Sequence, residues 1–256
     1  LPHPLSLTTP ILHSSLPMYL ILSLLLFTAS VSPVAFDGGI PPQLRGCYEN
    51  VTLFMAPLYP DQKNWTDVAI ADGVTCTIVE QAIASQNHSA LFPFFSREPL
   101  PLALAQLGNV DKRRRADRAA YPGCLAHLAT HLDDAWQHLA RKTPPPIPGF
   151  YSSLLPLPEP FIVPGGRFRE QYYWDSYFTM RGLVASGYTD MANGMLRNFL
   201  RQIDEYGFIP NGNRRYYLDR SQPPLFAAMV SLMGAAGNET YRSAVLREYH
   251  FWTHPS

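Results

Sequence analysis

The stretch "FIVPGGRFREQYYWDSYFTM", Phe161 to Met180, decides which fold the sequence predicts. A Pro-Gly-Gly turn is followed by two arginines, two carboxylates, a tryptophan and three tyrosines, a mixture that a hydrophobic core does not need. Helical spacing begins at Trp174 and continues to Ser186, and Gly187 then supplies the left-handed conformation with which many helices end. We therefore expect a polar, aromatic loop that leads into a helix, with side chains at the junction placed for binding.

The sequence after Pro122 predicts mainly helices, with an extended connector at Pro144 to Pro160. Between Pro122 and Lys142, apolar residues recur three and four apart and indicate a helix with one apolar stripe. The members of this stripe are Leu125, Leu128, Leu132, Trp136 and Leu139. Further helices are expected at Asp190–Tyr206, capped by Asp190 and ended at Gly207, at 224–236, buried on nearly every side, and at Glu239–Trp252. Strand-like alternation does not extend beyond a few residues here, so helical hairpins are predicted.

Composition and motif spacing argue against several classes of function. The 20 basic and 20 acidic side chains balance, which gives no reason to expect nucleic acid as a partner. The basic run at 111–118 is interrupted by two aspartates and is expected to be solvated surface. The "PGGR" turn lacks the spacing of phosphate-binding loops. The histidines His127, His131 and His138 have no HExxH pattern and are expected at the surface, so no metal site is predicted.

The N-terminal 36 residues carry a targeting pattern. The run "MYLILSLLLF", Met18 to Phe27, has the length of a signal-peptide core, and small residues suited to cleavage follow near Ser32 to Ala35. A signal over 1–36 predicts a secreted, periplasmic or extracellular protein. The alternatives are an uncleaved anchor, as the one contact with a membrane, or an upstream extension of a cytoplasmic protein. Residues 37–120 are expected to be an irregular N-terminal region, and 121–256 a separate helical unit.

Three cysteines and four glycosylation sequons bear on the compartment. No cysteine lies in a CxxC pair, and three inert buried thiols are preferred to one bridge with one cysteine left over. The cysteines are Cys47, Cys76 and Cys124. The sequons fit a secreted chain, although such short motifs also arise by chance. They begin at Asn50, Asn64, Asn87 and Asn238.

Two segments concentrate polar and aromatic side chains, and a sugar is the ligand that suits them. One segment is 167–177, and the other is 211–222. Arginine donates to hydroxyl groups, aspartate accepts from them, asparagine and glutamine do both, and tryptophan offers a flat surface to the C–H face of a sugar ring. The alternative from these residues alone is a salt-bridged, tyrosine-rich interface between a helix and a loop.

The same segments resemble the trehalases, glycoside hydrolase family 37. The match is carried by "PGGRFREQYYWDSY" (164–177), "GFIPNGNRRYYLDRSQPP" (207–224) and "SSLLPLPEPFIV" (152–163), with a weaker likeness in "LYPDQKNWTD" (58–67). The resemblance implies an all-α fold, the (α/α)6 toroid of the six-hairpin glycosidases. It also implies inverting hydrolysis of the α,α-1,1 bond of trehalose to two glucose molecules, without a cofactor. The sugar contacts that it implies are Arg167, Trp174, Asp175, Asn211, Arg220, Ser221 and Gln222. For Arg214 and Arg215 it implies no role, and solvent exposure or structural pairing is expected.

The sequence departs from the family in its catalytic carboxylates. An inverting glycosidase uses two carboxyl groups, one as acid and one as base. The family's "QWDxPxxW"-like and "GGGGEY"-like elements are absent, so we expect no catalytic residue within this chain and place the acid and base downstream of Ser256. The chain is then an incomplete toroid that is inactive alone. The alternatives are a non-catalytic sugar-binding or regulatory fragment and an (α/α)6 glycosidase for another disaccharide.

Overall fold

The computed structural model describes residues 40–59, 61–96, 102–108, 110 and 122–254. The predicted signal over 1–36 and the basic run at 111–118 lie outside these residues. Within them, no helix combines the length and the apolar character needed to cross a membrane.

The described residues of the N-terminal part include three short α-helices around a core of their own. They are α1 (Tyr48–Met55), α2 (Gln62–Thr66) and α3 (Cys76–Ala84). Asp61 and Thr75 cap α2 and α3, because each side chain accepts a hydrogen bond from a backbone N–H in the first turn. Buried apolar side chains pack around the indole of Trp65 and form the first core; among them are Leu44, Val51, Met55, Val79, Leu91 and Phe95. For the described residues between 40 and 96, the prediction of irregular structure is therefore wrong, because capped helices pack on a shared core. The domain boundary itself stays a prediction.

A disulfide joins Cys47 to Cys76, and Cys124 is a free, exposed thiol. The preference for three inert buried thiols is wrong. Cys47 precedes α1 and Cys76 begins α3, and packing of the two helices brings their Cα atoms within 5.5 Å. Sequence spacing carries no such information, because the two cysteines are 29 residues apart.

Short strands connect the N-terminal part to the rest of the chain. β1 (Ile70–Ala71) pairs antiparallel with β4 (Phe150–Tyr151). β2 (Ala103–Leu104), β3 (Ala140–Lys142) and β5 (Phe161–Ile162) form a three-stranded antiparallel sheet in the order β2-β3-β5. The strand β5 leads directly into the Pro-Gly-Gly turn, so the sheet holds the start of the predicted binding segment.

Helix α4 (Gly123–Leu139) is shorter than predicted, because the chain becomes extended at Ala140 to enter β3. Only the last two members of its apolar stripe, Trp136 and Leu139, pack against the core. The other three leucines, Leu125, Leu128 and Leu132, are about half exposed. The three histidines are exposed, as expected.

The C-terminal part consists of helices α5 (Tyr173–Ser186), α6 (Thr189–Tyr206), α7 (Phe226–Leu232) and α8 (Glu239–Thr253). Gly187 and Gly207 end α5 and α6 with φ angles of 85° and 81°, as predicted. Asp190 is not a cap, because Tyr188 is the residue that precedes the helix. Asp190 lies in the first turn, where its negative charge interacts favourably with the helix dipole. Helix α7 is shorter than the expected 224–236, because residues 224 and 225 remain outside it and Gly234 takes a positive φ.

The second core lies between these helices and the three-stranded sheet. Side chains from each contribute to it, including Phe161, Tyr173, Met180, Leu183, Met195, Phe199, Phe226 and Met229. Not every side of α7 is buried, since Ala227 and Ser231 are exposed. The predicted all-α class is confirmed, and α5 and α6 form an antiparallel hairpin of the kind from which an (α/α)6 toroid is assembled.

Tyr173 connects three of these helices through its hydroxyl group. The oxygen accepts hydrogen bonds of 2.9 Å from the backbone N–H groups of Leu225 and Phe226, at the start of α7. The hydroxyl donates to the buried carboxylate of Glu248 on α8. Burial raises the pKa of Glu248 to about 7, although the hydrogen bond from Tyr173 opposes that shift. The first residue of α5 is thereby fixed against α7 and α8.

Candidate functional site

The Pro-Gly-Gly turn places Arg167 at the surface. Gly165 and Gly166 have φ angles of 107° and 59°, and the first of these is accessible in practice only to glycine. Gly165 and Phe168 exchange two backbone hydrogen bonds of 3.1 and 3.3 Å, which close the turn. The guanidinium of Arg167 lies 5.2 Å from the ring centroid of Phe168. The exposed arginine therefore rests on an aromatic ring and keeps its N–H groups available at the surface.

Trp174 and Asp175 occupy the first turn of α5. The indole of Trp174 is 43% exposed, although tryptophan is a residue that folding usually covers. Its backbone N–H donates a 3.1 Å hydrogen bond to the side-chain oxygen of Gln222. Asp175 is partly buried beside it. A flat apolar face, a carboxylate and an amide thus meet at the start of one helix.

The second predicted segment folds back across this helix start. Tyr172 pairs with Gly212 as an isolated bridge, and the N–H of Tyr173 donates to the carbonyl of Asn211 at 3.1 Å. The N–H of Asn211 in turn donates to the carbonyl of Arg220 at 3.0 Å. The backbone therefore brings Asn211 and Arg220 to the same end of α5 as Trp174.

Ser221 and Asn213 have structural hydrogen bonds. The Ser221 hydroxyl donates to the carbonyl of Ile209 at 2.6 Å and closes the loop on itself. The buried Asn213 side chain accepts from the N–H of Gln171 at 2.8 Å and donates to the carbonyl of Leu155 at 3.1 Å. The Ser221 hydroxyl hydrogen is therefore already used in a hydrogen bond, while its oxygen can still accept one from a ligand.

Three aromatic rings connect the two predicted arginines. The Phe168 ring meets Tyr172 edge to face at 5.7 Å, and Tyr172 meets Tyr217 edge to face at 5.9 Å. The hydroxyl groups of the two tyrosines lie 3.2 Å apart. Arg167 lies over the first ring, and the guanidinium of Arg220 lies 4.8 Å from the centroid of the last. We call this arrangement of Phe168, Tyr172 and Tyr217 the aromatic row.

The structure therefore brings all seven predicted residues to one region. Trp174, Asp175, Asn211, Ser221 and Gln222 lie around the start of α5, and Arg167 and Arg220 lie at the two ends of the aromatic row. Arg220 also donates to Asp219 at 2.7 Å, so part of its guanidinium is already engaged. The aromatic row was not predicted; its sequence signal is the tyrosine content of both segments.

A buried set of charged residues beneath the loops was also missed by sequence reasoning. The Nε atom of Arg214 donates to Glu170 at 2.7 Å, and Lys63 lies 3.0 Å from the same carboxylate oxygen. Asp67 lies 2.7 Å from Lys63 and 3.5 Å from Arg214. The Tyr216 hydroxyl donates to Asp67 at 2.6 Å. Structural pairing, the expectation for Arg214, is confirmed; Arg215 lies 6.0 Å from the ring of Tyr151.

In these buried carboxyl groups, burial raises the pKa and neighbouring cations lower it, and the balance differs between Glu170 and Asp67. Burial alone raises the pKa of the Glu170 carboxyl, but the charges of Arg214 and Lys63 outweigh it and hold the pKa below its usual value. Burial raises the pKa of Asp67, although the charge of Arg214 opposes the shift. Glu170 is therefore a fixed anion and is unsuited to donating a proton.

The chain matches one family model and several known proteins. Residues 112–256 match the family model described as Trehalase. Over 202 residues the chain is 43% identical to the periplasmic trehalases of Escherichia coli strains K12 and O9:H4, covering 77% of this chain and 33% of each relative. The chain thus spans about a third of the length of these relatives. Among solved structures, neutral trehalase Nth1 from Saccharomyces cerevisiae is similar at 32% identity and a TM-score of 0.31, covering 48% of this chain and 24% of that one.

Proposed function

This chain belongs to the trehalase family, and from that premise we propose that its exposed loops bind α,α-trehalose. The protein of which these loops are part hydrolyses the 1,1 bond of that disaccharide and releases two glucose molecules. The relatives matched over 202 residues are named as trehalases, and this supports the substrate.

The observation that carries the proposal is the aromatic row with an arginine at each end. Arg167 and Arg220 present N–H donors to sugar hydroxyl groups, and the half-exposed indole of Trp174 offers a face for the C–H groups of a ring. Asp175 is the acceptor for a hydroxyl, and Asn211 and Gln222 both donate and accept. Such groups suit a neutral, polyhydroxylated ligand and would be poorly matched to an apolar one.

We also propose an inverting mechanism whose acid and base lie outside the described part of the chain. Inversion requires two carboxyl groups roughly 6.5–9.5 Å apart, with one protonated and one ionised. Near the site, Glu170 forms ion pairs with Lys63 and Arg214, and Asp219 forms an ion pair with Arg220. Asp175 is assigned to a hydroxyl. The described residues therefore bind and orient the sugar, and proton transfer is the task of other residues.

Export from the cytoplasm is part of the proposal. The matched relatives are named as periplasmic, and disulfides such as Cys47–Cys76 persist in oxidising compartments. Three of the sequon asparagines, Asn50, Asn87 and Asn238, are exposed. N-terminal sequencing of the exported protein tests this. We expect the mature chain to begin between about residues 33 and 37, because signal peptides are cleaved after small residues. A reduced cytoplasmic protein that retains 20–26 would contradict it.

Isothermal titration of the 256-residue chain with trehalose tests the binding proposal. We expect measurable binding that Trp174→Ala weakens at least about tenfold, because the sugar ring loses its apolar platform. Tyr249→Ala is the matched control, since it removes an exposed aromatic side chain from α8. No heat of binding for the wild-type chain, or equal losses in both variants, would overturn the assignment of the site.

Glucose release separates an enzyme from a sugar-binding module. Because Glu170 and Asp219 are paired with cations and Asp175 is assigned to a sugar hydroxyl, we expect the chain to bind trehalose without hydrolysing it. Turnover within about a factor of ten of a full-length family member would mean that the acid and base lie in this chain, because loss of either group costs several powers of ten.

A further inference from the structure

Five side chains from three separate segments form a buried set of ion pairs and hydrogen bonds, which we call the ionic cluster. Lys63 and Asp67 come from α2 and its C-terminal end, Glu170 precedes α5, and Arg214 and Tyr216 belong to the second loop. Their charged side chains are nearly inaccessible, with exposed fractions of 13% for Lys63 and 3% or less for Asp67, Glu170 and Arg214. Each of these three segments also carries one of the sequence motifs, although Lys63 and Asp67 lie outside residues 112–256.

The members of the ionic cluster depend on one another for charge compensation. Two cations face two carboxylates, so the complete set has no net charge. Lys63 contacts both carboxylates and also lies 3.2 Å from the Tyr216 hydroxyl. A buried charge that loses its partner is strongly unfavourable, because neither water nor an opposite charge then compensates it. Loss of Lys63 therefore acts on the loop residues Arg214 and Tyr216 as well as on α2.

The ionic cluster is connected to the predicted sugar contacts by short steps. Tyr216 precedes Tyr217, the last ring of the aromatic row, in a single 3-10 turn, Arg215–Tyr217. The carbonyl of Tyr216 accepts a 3.2 Å hydrogen bond from the guanidinium of Arg220. The N–H of Arg220 donates to the carbonyl of Tyr217, also at 3.2 Å. The location of Tyr216 thereby determines where Arg220 lies.

We propose that Lys63 and Asp67 are positioning residues for the sugar-binding loop, and that the N-terminal part holds Arg220 in place through Arg214 and Tyr216. These residues do not touch the sugar, and the proposal rests on the proposed function for the effect on trehalose. The N-terminal part of the chain is thereby a component of the binding site and more than a separate folding unit.

Hydrogen–deuterium exchange tests the coupling without any sugar. In the 256-residue chain, Lys63→Met removes the charge and keeps most of the aliphatic stem. We expect amide exchange in peptides over 208–222 to accelerate at least about tenfold, because the loop opens locally when its buried partner is removed. Exchange in α8 stays unchanged. Lys142→Met makes the same chemical change at an exposed position and leaves 208–222 unchanged.

Trehalose affinity, measured well below the unfolding midpoint of each variant, separates positioning from stability. We expect Lys63→Met to weaken trehalose binding at least about tenfold, because Arg220 would be misplaced. The conservative variant Lys63→Arg keeps a cation at this position and should bind within about threefold of the wild-type affinity. If Lys63→Met fails to fold, Tyr216→Phe decides, since it removes only the hydroxyl that donates to Asp67.

The outcomes are distinguishable. Unchanged exchange over 208–222 in both Lys63→Met and Tyr216→Phe overturns the coupling. Faster exchange with unaltered trehalose affinity overturns the positioning role and leaves the cluster a stabilising one. A wild-type chain that binds no trehalose refutes the proposed function, and the exchange experiment still decides whether α2 holds the loop.

Discussion

The hydroxyl of Tyr173 donates a hydrogen bond to the carboxylate of Glu248, which is buried between α5 and α8. No cation among the described residues pairs with this carboxyl group, so it favours its protonated form, and its pKa of about 7 reflects the loss of water on burial. The helical packing is therefore linked to pH at a residue outside the candidate site.

Stability should fall as pH rises through the range set by Glu248. Below its ordinary pKa of 4.5 the carboxyl is protonated in both folded and unfolded chains, and its contribution is fully present. Between 4.5 and about 7 only the folded chain keeps the proton, so the free energy of unfolding decreases, by at most about 3 kcal/mol. Urea unfolding across this range, compared with Glu248→Gln, isolates the effect. Parallel pH curves for the two proteins would contradict it.

Gly182→Ala should destabilise the contact between α4 and α5. A Cβ atom at Gly182 would lie 2.8 and 3.0 Å from two ring carbons of Trp136, and the indole cannot move freely because its N–H donates to Ser186 at 3.0 Å. We expect a net loss of about 1–2 kcal/mol, since overpacking exceeds the gain in helix propensity. Thermal unfolding measures it. In α6, Gly194→Ala meets its first neighbour only at 3.4 Å and should change stability by less than about 1 kcal/mol; a similar loss in both variants would refute the steric reason.

The Cys47–Cys76 bond should stabilise the first core. Opening a bond that closes a loop of 29 residues is expected to cost about 2–4 kcal/mol, because the unfolded chain gains conformational freedom. Chemical unfolding of Cys76→Ala measures this loss, and Cys124→Ala, at an exposed thiol, is the control. Alkylation without reductant should modify one cysteine per chain; three modified cysteines would show that the bond is absent.

Arg167→Ala should reduce sugar affinity and leave stability unchanged. The guanidinium is exposed and lies over the exposed ring of Phe168, so we expect the free energy of unfolding to stay within about 0.5 kcal/mol. Trehalose binding should weaken about 10- to 100-fold, because hydroxyl groups of the sugar lose a charged donor. Titration calorimetry measures the loss, with Arg181→Ala as a control at an exposed arginine of α5. Wild-type affinity in Arg167→Ala would remove it from the site.

The ends of α5 and α6 could be predicted because they depend on local chemistry. Gly187 and Gly207 take a conformation that other residues disfavour, and this preference is visible in the sequence. The start of α6 was misassigned at Asp190 because aspartate suits both a cap and a first turn, and only the backbone geometry distinguishes them.

The residues of the candidate site could be chosen from the sequence, but the buried contacts that hold them in place could not. Arg167, Trp174 and Gln222 could be chosen because their side-chain chemistry suits a sugar. The contacts of Lys63 with Glu170 join residues 107 positions apart, and no local pattern marks such a pair. Irregular structure was expected over 37–100 because the helices that the structure describes there are short, and the disulfide and the packing around Trp65 stabilise them.

The long separations within the ionic cluster have a consequence for synthesis of the chain. Asp67 and Tyr216 are 149 residues apart, so a ribosome that adds about 5 to 20 residues per second delivers Tyr216 roughly 7 to 30 s after Asp67. During that interval Lys63 and Asp67, one helical turn apart, can pair with each other and with water. The surface that they share must stay hydrated until the later segment arrives. The buried residues of the first core, Leu44 to Phe95, are thus all synthesised before the cluster can close.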